Sequence, residues 1–384
     1  MMSLETFLTQ KPLFYDAIDY ERFPKAYGSV AHLLPKPKII HIVGTNGKGT
    51  TGRFLATALH RLGKTTGHYT SPHILHFNER IWRDGEDIDN VDLETAHQKL
   101  MGFLDDETTK ALSYFEYTTL LAMVAFEQCE YVVLESGLGG EFDATNVFDK
   151  VLSIFTPIDF DHSAFLGSTI ESIASTKLRS MKAKALLGVQ NHPIVEAIAR
   201  EIALEKKCQL HNVQGLINPH IGAIALRLAI KNGLSDYLQD NCALAMTAFE
   251  LLGYKVEAPL FDQSALFGRL NKISEKVTLD VGHNALAARA IAQAFQGKKV
   301  TLVYNTYGDK DYREILSILI PIIDYVEIIW VEEGRIVPRE LLEAVLEELG
   351  LNYGSFEAIN PDKEYLIFGS FSVAEAFLKR MNNS

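Results

Sequence analysis

The chain has 384 residues, with 37 Lys plus Arg against 49 Asp plus Glu (net charge −12), and is 47% apolar and 22% charged. That composition belongs to a folded globular protein and excludes a disordered or fibrous one; at roughly 150 residues per domain it predicts two or three domains. The acidic balance argues against a dedicated nucleic-acid binder, whose affinity comes largely from Lys and Arg neutralising phosphate.

In chain order, residues 1–10 carry no basic stretch followed by an apolar one, so no signal peptide is expected. A strand is predicted at 39–43. It runs into Gly44-Thr45-Asn46-Gly47-Lys48-Gly49-Thr50-Thr51, and then into a helix marked by Phe54, Leu55, Ala58, Leu59 and Leu62, with Gly63 as its stop. Strand, Gly-rich turn, Lys, hydroxyl and helix form the arrangement that cradles phosphate. Glycines let backbone N–H groups face an anion, and the helix N-terminus adds about half a positive charge. Thr45, Asn46, Gly47, Lys48, Gly49 and Thr50 are therefore candidate nucleotide contacts, with Lys48 reaching the terminal phosphates and Thr50 approaching a bound Mg²⁺. Gly49, between Lys48 and Thr50, departs from the literal G-x-x-x-x-G-K-[ST] string.

Further strands are predicted at 131–135 and 151–155, and a capping-box pattern, Ser168…Glu171, opens another helix. Glu135 closes its strand at the edge where such sheets bind ligands, and a carboxylate there suits Mg²⁺. Residues 205–240 show no clear pattern, and helical periodicity lapses over 259–274. The last third alternates compactly: strands at 277–281, 300–304, 326–331 and 365–368, with helices at about 284–296, 311–320, 338–349 and 373–380. Two of those helices have capping boxes, Asp311…Glu314 and Ser372…Glu375. The fold class is α/β. A large N-terminal domain (1–267) with a mostly parallel sheet is followed by a smaller, doubly wound α/β domain (268–384). The apolar runs 120–126 and 315–323 fall short of the roughly 20 residues of a membrane span. Cys129, Cys208 and Cys242 include no C-x-x-C pair and make no disulfide framework, which fits a reducing, cytoplasmic setting. With no heptad seam, a monomer is expected.

The residues of the Gly44–Thr50 loop resemble the nucleotide loop of the Mur-ligase superfamily, ATP-dependent enzymes that join a carboxylate to an amine. Three more segments resemble its dihydrofolate synthase/folylpolyglutamate synthase branch. They are Tyr69-Thr70-Ser71-Pro72-His73 with Phe77-Asn78-Glu79-Arg80-Ile81; Glu135-Ser136-Gly137-Leu138-Gly139-Gly140 with Asp143-Ala144-Thr145-Asn146; and Asp161-His162 with Leu166-Gly167. Weaker matches continue at Gly268-Arg269, Asp280 with Gly282-His283-Asn284, Asp309-Lys310-Asp311 and Gly369-Ser370, so the likeness covers nearly the whole chain.

The resemblance implies a P-loop-like Mur-ligase ATPase domain followed by a C-terminal ligase domain. It also implies an enzyme of folate biosynthesis that adds L-glutamate to dihydropteroate, and to reduced folates, through an acyl phosphate. Ser71, Glu135 and His162 become metal ligands; His is an unusual partner for Mg²⁺, so Mn²⁺ can replace it. Lys48, Lys177 and His162 become catalytic residues, with Lys177 carbamylated. Asn241, Arg269, Asp280 and His283 become ATP contacts, Arg269 because a guanidinium can stabilise charge on a transferring phosphoryl group. Phe115, Glu116 and Thr118 resemble a pterin-side segment, and Asp19-Tyr20-Glu21-Arg22-Phe23 loosely resembles another. Several positions depart from the family's usual residues. Glu141 stands for Arg, Tyr237-Leu238 for His-Gln, and Phe267 and Ala285 for Pro. Ser175-Thr176-Lys177-Leu178-Arg179 stands where Glu-Lys-Ala-Gly is usual. Two other readings stay open: another amino-acid ligase of the superfamily, and a non-catalytic nucleotide-binding module.

Overall fold

A computed structural model of the chain describes residues 2–12, 19–161, 163–262, 264 and 266–382. Its strands form where β-branched and apolar runs are buried on both faces, as expected of parallel sheets covered by helices. The first sheet holds β1 (Lys38–Val43), β2 (Thr66–Tyr69), β3 (Ile81–Arg83), β4 (Glu86–Asp87), β5 (Tyr131–Glu135), β6 (Lys150–Phe155), β7 (Lys184–Leu187) and β8 (Gln209–Asn212). Their order is β4-β3-β2-β5-β1-β6-β7-β8. All pairs are parallel except β2–β3 and β3–β4. β1 lies centrally, with Ile42 beside Glu135 of β5 and Val43 beside Phe155 of β6.

The helices that matter for the site are α1 (Lys48–Arg61), α2 (Tyr114–Ala125), α3 (Ile170–Leu178) and α4 (Asp236–Leu251). One buried cluster gathers apolar residues of α2, including Leu120, Leu121 and Met123, with Val132 and Leu134 of β5. A second gathers Ile173, Ala174 and Leu178 of α3 with Val43 and Phe155. The loops at the carboxyl ends of β1, β5 and β6 are thereby held from beneath by packed side chains.

The second sheet holds β9 (Asn271–Ser274), β10 (Val277–Leu279), β11 (Val300–Tyr304), β12 (Ile323–Ile328), β13 (Tyr353–Ser355) and β14 (Tyr365–Phe368), in the order β13-β12-β11-β14-β10-β9. Only β9–β10 is antiparallel. Helices α5 (Ala285–Ala294), α6 (Tyr312–Leu319), α7 (Arg339–Glu348) and α8 (Phe371–Asn382) alternate with these strands. Their core packs Ile315, Leu342 and Leu346 against Leu302, Val326 and Leu366. The chain divides into two compact units, Met1–Leu228 with Asp240–Ser264, and Ala229–Gln239 with Ala265–Ser384. One division therefore falls inside α4, in the stretch 205–240 where the sequence pattern is weakest.

The mixed α/β class stands, and the differences from expectation are local. The strand expected at 326–331 begins at Ile323, directly after the short turn that contains Pro321. The helix expected from Ser168 is capped instead by Thr169, whose hydroxyl accepts the Ser172 N–H. The helix expected from Ser372 begins at Phe371, with the Ser370 hydroxyl accepting the Val373 N–H. Asp311 caps its helix as expected. β2, β7 and β8 carry no strand signal, because TGHY, KALL and QLHN are too short or too polar to show a period of two. Among the described residues, no helix is long and apolar enough to cross a membrane.

Candidate active site

The end of β1 delivers the chain into the Gly44–Gly47 turn. Gly47 sits at φ +86°, a left-handed conformation that glycine adopts without steric cost, and forms the N-cap of α1 with no side-chain cap. A β-carbon at Gly47 would lie 2.5 Å from Oδ1 of Asn241, so the missing side chain is what lets Asn241 approach the loop. The first turn of α1 has no acidic residue. Thr50 and Thr51 are buried there, with hydroxyls that have no hydrogen-bond partner among the described residues. Buried hydroxyls are nearly always paired, so two unpaired ones at a cationic helix end suit an incoming group. The loop's other side is fixed by Thr45, whose N–H donates to the Pro157 carbonyl (2.9 Å) and whose hydroxyl donates to the Asp159 carbonyl (3.0 Å).

Lys48 folds back over this turn. Its Nζ donates to the carbonyls of Gly44 (3.3 Å) and Thr45 (3.2 Å) and stands 3.8 Å from Oε1 of Glu135. Glu135, 5% exposed at the end of β5, accepts the Thr70 hydroxyl and the Ser71 N–H (3.3 Å) on its other oxygen. The loop lysine, the carboxylate and Ser71 therefore come together from three separate segments. Lys177 reaches the same turn from α3, its Nζ donating to the Gly44 carbonyl at 2.9 Å. It is 4% exposed; burial first, and then the Lys48 charge, push its pKa down to about 7. His162 lies outside the described residues. Among the described residues, no group of three or more His, Cys, Asp or Glu is placed to hold a metal. One hydroxyl, one carboxylate and the unpaired Thr50 hydroxyl are all oxygen donors, which suits Mg²⁺ or Mn²⁺. An uncapped helix start and Lys48 suit the phosphates of a nucleotide. The residues present fit both groups.

The pterin-side candidates divide. Glu116 receives a bidentate contact from Arg22 (2.8 and 3.1 Å) and accepts the Ser113 N–H (2.8 Å), so its carboxylate serves both as an ion-pair partner and as half of a capping box. That contact joins the two segments singled out for the pterin, 19–23 and 115–118. Thr118 is fully buried and shares a hydrogen bond with the Tyr69 hydroxyl (3.0 Å), so it acts on surroundings through Tyr69. Phe115 is half-buried, and a β-carbon at Gly137 would lie 2.5 Å from its ring. Tyr20 and Phe142 stack with ring centroids 4.4 Å apart, each about half exposed.

The second unit has its own polar cluster at the end of β10. Asp280 is buried and accepts Tyr237 Oη–H (3.0 Å), Leu270 N–H (3.0 Å) and Gly282 N–H (2.7 Å). Burial raises its pKa, against the opposing charge of Arg269. The Arg269 guanidinium lies 5.3 Å from the centroid of the Phe371 ring, and His283 packs against Tyr307 and Phe371.

A scan against protein-family profiles finds no match. Individual relatives are clear. The chain is 32% identical to the dihydrofolate synthase/folylpolyglutamate synthase of Haemophilus influenzae over 328 residues, 76% of this chain and 74% of that protein. It is 31% identical to the enzyme of the same name from Escherichia coli, over 88% of this chain and 83% of that one. The chain belongs to the dihydrofolate synthase/folylpolyglutamate synthase family.

Solved structures agree. The folylpolyglutamate synthetase of Helicobacter pylori superposes with a TM-score of 0.80 at 39% identity, covering 99% of this chain and 98% of that one. Escherichia coli FolC in complex with DHPP and ADP gives 0.82 at 26% identity, covering 100% and 98%. The bifunctional enzyme of Yersinia pestis with AMPPNP and Mn gives 0.80 at 24% identity, covering 99% and 98%, a likeness of fold. Members of the dihydrofolate synthase/folylpolyglutamate synthase family are ligases that form C–N bonds, and that membership selects the folate branch over the other superfamily ligase and the non-catalytic module left open by the sequence.

Several contacts of the candidate site escape sequence reasoning. Thr70 and Asp159 matter through hydrogen bonds to distant segments. His192, 3.0 Å from Asp159, lies 33 residues further along the chain and carries no motif. The Ser113…Glu116 capping box was open to pattern reading and marks the start of α2. Where the family often has Arg, Glu141 stands 3.9 Å from the Arg179 guanidinium, an ion pair between two positions that both depart from the family's usual residues.

Proposed function

We propose that this chain uses ATP to join L-glutamate to dihydropteroate, and that it also extends reduced folates by the same chemistry. The observation that carries the reading is the meeting of Lys48, Glu135, Ser71 and Lys177 around the turn after β1. In the reaction the pteroate carboxylate oxygen attacks the γ-phosphorus, the bond to ADP breaks, and an acyl phosphate forms. The glutamate amine then attacks the acyl carbon, and inorganic phosphate leaves. Lys48 and the start of α1 hold the phosphates and stabilise charge as it moves onto the leaving oxygen. Ser71, Glu135 and His162 are the proposed ligands of Mg²⁺, which supplies charge neutralisation and orientation when bound. Asn241 lines the loop at Gly47, which supports its assignment to the nucleotide. Arg269, Asp280 and His283 are assigned to ATP by family resemblance.

Lys177 is the proposed carbamate carrier. An amine must be neutral to attack CO₂, and a lysine with a pKa near 7 is substantially neutral at physiological pH. On the pterin side, Phe115 offers a half-buried ring, while Glu116 and Thr118 shape the wall through Arg22 and Tyr69. The test is ADP release by purified protein with ATP, Mg²⁺ and glutamate. Dihydropteroate should support turnover, and tetrahydrofolate should do so as a second acceptor. No ADP from either acceptor would overturn the reading, and ADP from dihydropteroate alone would restrict it to the first step.

A further inference from the structure

A chain of buried and half-buried polar side chains runs beneath the loop that follows Glu135, and none of its work is needed to bind phosphate. It begins at Lys150, the first residue of β6. Its Nζ lies 2.8 Å from Nδ1 of His41, 2.6 Å from Oδ1 of Asn146 and 3.2 Å from the Ser180 carbonyl. Asn146 Nδ2 donates to the Glu141 carbonyl (2.7 Å), which orients that amide with its oxygen toward Lys150. An ammonium has three N–H groups, and three acceptors surround this one. Burial pulls Lys150 down to about 7; the neutral amine still keeps two N–H groups, enough for His41 and Asn146.

With Nδ1 accepting, the His41 proton sits on Nε2, which donates to the Thr145 hydroxyl at 2.7 Å. Burial and the Lys150 charge hold His41 far below its ordinary pKa, so the ring is neutral, as this tautomer requires. Thr145 has one hydroxyl proton, and it goes to Oδ1 of Asp143. Oδ2 of Asp143 then accepts the N–H groups of Gly137 (3.0 Å) and Leu138 (2.8 Å). His41 and Thr145 are fully buried; from Lys150 to Asp143 every donor points the same way, and the Gly137 and Leu138 amides donate to the carboxylate from the other side.

The loop so held touches three candidate site groups. It leaves β5 at Glu135, it runs against the Phe115 ring at Gly137, and a β-carbon on Gly140 would lie 2.7 Å from the Lys177 carbonyl oxygen. We infer that His41 and Lys150 are positioning residues of the ligase reaction, setting the 136–140 loop, and with it Glu135 and the backbone beside Lys177, through Thr145 and Asp143. A carboxylate clamp on two successive amides fixes a loop only if the carboxylate is itself fixed, and here its second oxygen accepts both the Thr145 N–H (2.9 Å) and the hydroxyl that His41 orients. This is the logic by which outer hydrogen-bond partners set the geometry of groups that touch metal and substrate. The kinetic part of the inference rests on the proposed function; the structural part does not.

The decisive variants are Thr145→Val, which keeps the shape and removes the hydroxyl, and Thr145→Ser, which restores it. In the full chain, hydrogen exchange at the Gly137 and Leu138 amides should speed up about tenfold or more in T145V and return toward wild type in T145S, with β1 and β5 amides unchanged in both. K150M should behave as T145V, and K150R should recover part of the protection. T145V should lower kcat about tenfold while KM for ATP changes less than twofold. Wild-type exchange rates at 137–138 in T145V, or equal loss in T145V and T145S, would overturn the inference. A wild type inactive on both folate acceptors would overturn the proposed function, and the exchange result would then decide the positioning role alone.

Discussion

The carboxyl ends of β1 and β10, one in each sheet, treat their buried polar groups in opposite ways. After β1 and β6, Thr50, Thr51 and Thr156 are buried with hydroxyls that meet no partner among the described residues, and buried Lys177 donates to the Gly44 carbonyl. After β10, Asp280 is buried just as deeply, yet three donors of its own unit satisfy it. An unpaired buried polar group costs roughly 1–3 kcal/mol. The first region thus carries an unspent cost that a ligand can relieve, while the Asp280 carboxylate is already satisfied by its own unit. Groups of the first kind should report on binding and turnover with little change in stability, whereas Asp280, which the family resemblance also assigns to ATP, should report on stability as well.

The sharpest break should come at Lys48. K48A is expected to lower kcat by about 10²–10³-fold, the loss typical of removing one donor to developing charge, while the melting temperature barely moves. A K48A protein with full turnover in the ADP-release assay would sink the reading of the whole loop. Glu135→Gln should follow. The amide can still accept from Thr70 and Ser71 through its oxygen, so the fold should hold, but half-maximal activity should require roughly tenfold more Mg²⁺ or above. Titrating activity against Mg²⁺ checks this.

Lys177 should respond to pH and CO₂. Its amine is protonated below about pH 7, so bicarbonate-stimulated activity should fall as pH drops through that value, and ¹³C-labelled bicarbonate should give a carbamate signal that K177M lacks. The stability sign is also defined. A lysine whose folded pKa is depressed destabilises the fold fully below about pH 7, and this effect fades as pH rises toward 10.5. K177M should therefore melt higher than wild type at pH 6, with the gap narrowing in alkaline buffer. An unchanged gap would show that the amine is not held neutral.

The smallest effects test the contrast directly. Thr50→Val removes a hydroxyl that bonds nothing among the described residues, so its melting temperature should match wild type while KM for Mg·ATP rises several-fold. Asp280→Asn should lose about 1–3 kcal/mol of stability, because the amide nitrogen faces the Leu270 N–H in one orientation and the Gly282 N–H in the other, so one donor is left unpaired however the side chain turns. Equal stability losses in T50V and D280N, read by chemical denaturation, would erase the distinction between the two sheet ends.

Much of this was legible in the residues. The strand–turn–helix at 39–62 announces itself because strand burial, left-handed turn, cap and helix periodicity all act within a few residues of one another. Glu135 was legible as the last residue of a strongly apolar strand. The short strands were not. β2 (Thr66–Tyr69) is buried throughout, yet TGHY carries no alternation, because its faces are covered by helices distant in sequence. Nor was the service of Glu116 to Arg22, or of Thr118 to Tyr69, since both depend on where segments some 50 to 94 residues away come to rest.

By itself, then, the order of residues determined the α/β class, the phosphate-cradling turn and the kinship with folate ligases, because each is written in local spacing or contiguous segments. Only the tertiary structure decided that Lys177 comes to the Gly44 carbonyl, that Ser71 meets Glu135, and that Lys150 reaches Asp143 by way of His41 and Thr145. Those contacts join residues from separate strands and helices, and burial, which removes water as a competing partner, is what makes each of them matter.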